Sequence, residues 1–212
     1  MTGFAGFGEA AVEFYDGLEV DNSKAYWTDH REVYENDVRI PMLALMAELE
    51  PEFGAGKIFR PYRDVRFSGD KTPYKTHCGA IVGPFYVQLG SDGLRVAGGY
   101  YRMAADQLTR FRAAVAEDRT GEDLRKRVHK LDVAGLEING EQLKTRPRGV
   151  DPDHPRVDLL RRKGLYGSLG WEPDDVLHEA GTTDRVRSTW RSLQPLVDWL
   201  TDHVGPSELP RR

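Results

Sequence analysis

The chain has 212 residues, 39% hydrophobic and 30% charged, with a formal net charge of −4 and one cysteine. That length fills one large domain or two small ones, and the balance is that of an ordinary globular protein with a full core. It excludes a disulfide framework, a cysteine-built metal centre, a membrane span of ~20 apolar residues and a basic protein that coats DNA. The N-terminus lacks the basic-then-apolar pattern of a secretion signal, so the expected compartment is the cytoplasm.

In chain order, residues 7–18 place Ala11, Phe14, Tyr15 and Leu18 at helical spacing. Asn22-Ser23 reads as the start of a second helix, either residue serving as cap, and that helix carries Tyr26, Trp27, His30 and Tyr34. Pro41 fits the first turn of a third helix with Leu43, Leu45, Met46 and Leu49 on its face. The helical period stops at Gly54-Ala55-Gly56, and residues 57–63 alternate as a strand. Ser68-Gly69-Asp70 and Thr72-Pro73 are turn-formers. Strands follow near His77 to Val82 and Phe85 to Leu89, with a bulge or bend at Gly83-Pro84. Ser91-Asp92-Gly93 signals a hairpin into Leu94 to Tyr101.

Further helices are expected over residues 104–117 and around 122–131, a strand at 136–140, a loop at 144–155, a short helix at 157–162 and a last strand at 165–171. Val186, Trp190, Leu193, Val197, Leu200 and Val204 step by four, three, four, three and four, marking a long final helix with a kink or break at Pro195. Trp27, Trp171, Trp190 and Trp199 are expected in the core. The fold class is α+β: one domain over residues 1–212, a mainly antiparallel sheet (about 57–171) flanked by N-terminal helices (about 7–52) and a C-terminal helix (about 183–204).

Residues 57–77 run against the acidic background, placing Arg60, Arg63, Arg66, Lys71 and Lys75 against only Asp64 and Asp70, with Tyr62, Tyr74 and His77 interleaved. Such an excess points either to an anion site or to a paired network. Arginines at every third position share no face of a strand or helix, so an irregular turn after Arg63 would have to converge them. Guanidinium grips phosphate or carboxylate through paired hydrogen bonds, and lysine adds a point charge. The structural alternative is an internal ion network of Arg63, Asp64 and Arg66.

The pattern Arg60-x-x-Arg63-Asp64-x-Arg66-Phe67, then Asp70-Lys71-x-x-Tyr74, resembles the signature of a mostly bacterial family catalogued as domain of unknown function 2461. The resemblance covers nearly the full chain. It includes Asn22-Ser23-Lys24, Gly99-Tyr100-Tyr101, Pro147-Arg148-Gly149 and Asp153-His154-Pro155. Gly164-Leu165 after Lys163 departs from the serine and aromatic residue that the family pattern leads one to expect. The resemblance implies candidate site residues, Arg148 and Lys163 among them, and carries no mechanism.

A second polar cluster holds Arg146, Arg148, Asp151, Asp153 and His154, with Arg161, Arg162 and Lys163 after it. Asp153 or His154 capping a helix that opens on Pro155 accounts for part of it. Functionally, His154 or His77 is the candidate for proton transfer beside a phosphate. A metal on Asp151, Asp153, His154 and His77 needs a convergence that spacing does not establish, so none is assigned. Gly54-Ala55-Gly56-Lys57 lacks the outer residues of a P-loop, and Gly167-Ser168-Leu169-Gly170 lacks the glycine two places before the serine that a nucleophile elbow needs. Cys78 and His77 would face opposite sides of a strand, a poor dyad. Tyr62, Tyr74, Tyr100 and Tyr101 could stack bases, yet no single-strand-reading motif is present, and nucleic acid is not the favoured partner.

The expected role is therefore binding of a phosphorylated or otherwise anionic small ligand through Arg60, Arg63, Asp64, Arg66, Lys71, Tyr74, Lys75, Arg148 and Lys163. One alternative is a phosphoester or phosphoryl-transfer enzyme using the same groups. The other is an interaction module whose arginines brace the fold. Cofactor and oligomeric state are left open.

Overall fold

The computed structural model describes residues 3–66 and 69–210. Its first helices are α1 (Glu9–Val20), α2 (Lys24–Asp29) and α3 (Arg31–Val33), which continues through a π-helical turn (Tyr34–Arg39) into α4 (Ile40–Phe53). The strands are β1 (Lys57–Ile58), β2 (His77–Val82), β3 (Phe85–Gly90) and β4 (Gly93–Tyr100). Then come α5 (Ala105–Ala116), α6 (Asp118–Val133), β5 (Glu137–Asn139), α7 (Val157–Leu160), β6 (Leu165–Trp171) and α8 (Gly181–His203). The six strands form one antiparallel sheet in the order β1-β2-β3-β4-β6-β5, and the class is α+β. No helix among the described residues is long and apolar enough to cross a membrane.

The chain divides into two compact units, residues 1–96 with 170–188, and residues 97–169 with 189–212. In the first, α1 lies against β3 and the π-helical turn, and α4 lies against β2. Its core gathers Phe14, Tyr15, Leu18, Val38, Leu45, Leu49, Ala80, Val87 and Leu89. The β2–β3 connection at Gly83-Pro84 is a two-residue turn, with Gly83 at φ 53° supplying the left-handed position, rather than a bulge. Gly93 opens β4 at φ 92°, and a Cβ there would come within 2.3 Å of the Trp171 carbonyl oxygen, so glycine is required on both counts. Trp171 is only half-buried, its ring covered by the Arg185 guanidinium at 5.1 Å. The other three tryptophans are buried as expected.

The strand expected over residues 57–63 is two residues long, because Pro61 has no N–H for the ladder. Pairing resumes only at a single bridge between Tyr62 and Tyr74. Pro41 stands in the first turn of α4, as expected, but α4 continues without a gap from the π-helical turn before it. The widened turn stands just before it, where a proline ring would press on the carbonyl four residues back.

In the second unit α5 packs on α6 and α7, and α6 on β5. Phe111, Val115, Leu124, Leu160 and Leu165 are buried, as are Trp190, Leu193, Leu196 and Leu200 of α8, which passes Pro195 without a break. Helix α6 starts at Asp118, earlier than expected, because the Glu117 carboxylate accepts from the amides of Arg119 and Thr120. The Thr120 hydroxyl, which also donates to it, and then those amides hold the Glu117 carboxyl down at about 2. Arg156, 6% exposed, staples the α5–α6 junction. Its Nε donates to the Val115 carbonyl (2.8 Å), and its Nη2 to the Ala116 carbonyl (3.1 Å) and Asp118 (2.8 Å).

The Asp118 side chain is 97% exposed, so the staple works through the two carbonyls, above all the buried bond to Val115. Arg156→Ala is expected to cost about 3 kcal/mol and lower Tm by about 6–12 °C in thermal denaturation. Asp118→Ala should leave Tm almost unchanged; equal losses would place the stabilisation in the ion pair instead.

Candidate functional site

The irregular segment after β1 is tied down by local bonds that do not need a sheet. Ser23 caps α2 by accepting from the Tyr26 amide, which frees Asn22 for another task. The Asn22 carboxamide accepts from the Tyr74 amide (3.0 Å) and donates to the Tyr74 carbonyl (3.1 Å), acting as a one-residue strand. On the other side, Arg63 N–H reaches the Pro73 carbonyl and Lys75 N–H the Pro61 carbonyl, closing the Tyr62–Tyr74 bridge. The Tyr74 ring, 5% exposed, stacks on Trp27 with centroids 4.4 Å apart and planes within 7°.

This segment forms one wall of a cleft of about 720 Å³. Lys57, Ile58, Phe59, Arg60, Pro61, Tyr62 and Lys75 line it on the strand side. Trp27, Arg31, Tyr34, Glu35, Arg39 and Leu43 line it on the helix side. Tyr34 and Arg39 are five residues apart, and in an α-helix of 3.6 residues per turn they would stand about 140° from each other. The π-helical turn, where the Ile40 amide bonds the Glu35 carbonyl five residues back, brings them to the same cleft.

The lining is cationic. Arg31, Arg39, Lys57, Arg60 and Lys75 face a single carboxylate, Glu35, which pairs with Arg39 at 3.2 Å. Arg31, Lys57, Arg60 and Lys75 have no carboxylate partner among the described residues. Lys75 sits 5.1 Å over the Phe59 ring, and burial together with the charge of Arg60 lowers its pKa. Strand alternation adds donors: the Phe59–Gly79 bond turns the peptide N–H groups of Ile58 and Arg60 to the free side of β1. Tyr62 is 51% exposed, Leu43 45% and Phe59 36%, so the floor also offers apolar and aromatic surface.

A smaller cleft of about 430 Å³ adjoins the same segment, lined by Arg63, Asp64, Lys75, Thr76 and His77. Lys75 belongs to both. Burial, then Lys75 and Arg63, lower the His77 pKa, and Asp92 opposes them. Cys78, next along β2, is 3% exposed, and burial pushes its thiol up to about 12.

The remaining expected residues are engaged locally. Arg63 Nη1 holds Asp70 and Thr72, and Arg66 grips Asp64 through Nε (2.9 Å) and Nη2 (2.7 Å). The Lys71 ammonium donates to the Val65 carbonyl. Tyr74 lies under the large cleft in the Trp27 stack rather than on its lining. Phe67 and Ser68, part of the signature and of the expected turn, lie outside the described residues.

Arg148, His154 and Lys163 belong to the second unit. There Lys163 pairs with Glu141, and His154 Nδ1 accepts from the Arg156 amide at 3.0 Å, which places its proton on Nε2. Neither Asp153 nor His154 caps α7, which starts at Val157 after Arg156 rather than on Pro155. Among the described residues no three His, Cys, Asp or Glu side chains gather to hold a metal.

Sequence reasoning did not single out Arg31, Arg39, Tyr34 or Glu35. For Tyr34, Glu35 and Arg39 the available signal was the proline two residues after Arg39, just past the wide turn, and that is legible only once the helix is known to continue.

Removing the Asn22 carboxamide strands the Tyr74 peptide groups. Asn22→Ala is expected to cost about 1–3 kcal/mol, or 2–4 °C in Tm per kcal/mol. Asn22→Asp, which keeps only the acceptor, should fall between Asn22→Ala and the unaltered protein. His77 has its own pH signature. The unfolded ring titrates near about 6.5 and the folded ring lower, so protons favour the unfolded state. Stability is expected to fall as pH drops through about 6.5, and His77→Gln should flatten that part of a Tm-versus-pH curve.

No curated protein and no solved structure matches this chain. A family profile described as "Conserved hypothetical protein (DUF2461)" matches residues 10–199. That span takes in α1, the π-helical turn, the cationic segment and nearly all of α8, and the chain belongs to the DUF2461 family.

Proposed function

We propose that the protein binds a phosphorylated or similarly anionic ligand in the large cleft. The observation that carries this is the concentration of Arg31, Lys57, Arg60 and Lys75, without carboxylate partners among the described residues, in a cleft of about 720 Å³ on a chain of net charge −4. Holding like charges together costs free energy that an anion recovers. The volume falls in the usual range of about 300–1,000 Å³ for small-molecule sites. Arg60 and Lys75 neutralise the anion, the outward N–H groups of β1 orient it, and Tyr62 and Phe59 cover its apolar part. Arg66, gripped by Asp64, belongs to the loop's internal bracing.

The free edge of β1 beside exposed Leu43 supports a second reading, an acidic peptide laid along that edge.

A thermal-shift series with inorganic phosphate, nucleoside monophosphates and sugar phosphates tests the first reading. A ligand at ~100 times its Kd adds ~2.7 kcal/mol, or about 5–10 °C at this size. The shift should vanish in the Lys57→Ala, Arg60→Ala double variant and survive in Arg66→Ala. No shift with any phosphate, in a protein of unchanged Tm, would leave the peptide reading.

A further inference from the structure

The two clefts meet at Lys75, and they differ in kind. The large one combines cations with half-exposed rings, whereas the small one is lined by Arg63, Asp64, Lys75, Thr76 and His77. The carboxylate in the small cleft, Asp64, is occupied by Arg66, so it does not repel a second anion as a bare charge would. A single phosphate fills neither the rings of the large cleft nor both sides of Lys75.

We propose that the ligand is a nucleoside unit flanked by two phosphates, with its base and one phosphate in the large cleft and the other phosphate in the small cleft. This rests on the anion-binding reading above. Tyr62 offers the stacking face, since base–aromatic stacking is sequence-tolerant and Tyr62 is 51% exposed. Phe59 carries Lys75 over its ring and sets the position of the shared ammonium. Arg60 and Lys75 answer one phosphate, and Lys75 and the Thr76 hydroxyl the other, with Arg63, held to Asp70 and Thr72 through Nη1, adding only its charge. The same unit occurs free, as a nucleoside 3′,5′-bisphosphate, and within a short single strand.

Isothermal titration of the full chain at fixed salt, with inorganic phosphate, adenosine 5′-monophosphate, adenosine 3′,5′-bisphosphate, and ribo- and deoxyribo-tetranucleotides, tests the proposal. The bisphosphate is expected to bind at least about tenfold more tightly than the monophosphate, and Thr76→Ala with His77→Gln should abolish that margin while leaving monophosphate binding intact. Tyr62→Ala should weaken nucleotide binding about tenfold without changing inorganic phosphate binding.

A second measurement does not depend on variants that must fold. His77, which faces Lys75 and Arg63 with Asp92 nearby, should show an upward-shifted ring titration by NMR with bisphosphate bound and not with monophosphate. A tetranucleotide tighter than the bisphosphate identifies a strand as the source, and equal affinities identify the free bisphosphate. Monophosphate binding without any bisphosphate gain or His77 response overturns this proposal and leaves the anion site standing. No phosphate binding at all, or tighter binding of a glutamate-rich heptapeptide than of any nucleotide, overturns both.

Discussion

The clamp on Tyr74 is the constraint on which the rest of the cationic segment depends. Asn22 satisfies both peptide groups of that residue, Trp27 covers its ring, and Tyr62 pairs with it across a single bridge. Buried peptide groups without partners are costly, so a segment that has left the sheet must find them elsewhere. One carboxamide and one stacked ring do this without extending β1. Arg60, Tyr62 and Lys75 therefore line the cleft beside a backbone that is paired at Tyr62 and Tyr74.

Proline acts twice in building the cleft, once on each wall. Pro61 ends the ladder of β1 and releases Arg60 and Tyr62 from strand geometry. Pro41 stands after the π-helical turn that swings Arg39 round to join Tyr34. Both effects come from the missing N–H and the ring's bulk. Neither wall would carry these side chains if its element ran on in regular form.

Charge is distributed unevenly among the arginines. Arg63 and Arg66 are bound to Asp70 and Asp64 inside their own loop, whereas Arg60 is free of any such partner among the described residues. A signature with an arginine at every third position thus divides into two members paired inside the loop and one with no carboxylate partner among the described residues. The ion-network reading fits Arg63 and Arg66, and the proposed anion site would draw on Arg60.

Most of the element order was legible from periodicity and turn chemistry: α1, the β2–β3–β4 meander, β6 and α8 follow from apolar spacing and from Gly-Pro and Asp-Gly pairs. The family was legible too, because its signature is local in sequence. The π-helical turn, the shortness of β1 and the separate fates of three similar arginines were not, since each depends on what a distant residue supplies. Asn22 could have been a cap as well as Ser23, and only the position of Tyr74, 52 residues on, decides between them. By itself, then, the sequence determined the class of fold and the cationic character of residues 57–77, because both are written in short-range pattern. Which cations lack a carboxylate partner among the described residues, and that Arg31 and the Glu35-paired Arg39 line the same cleft from a helix, was decided by tertiary structure, since burial and pairing are properties of neighbours in space.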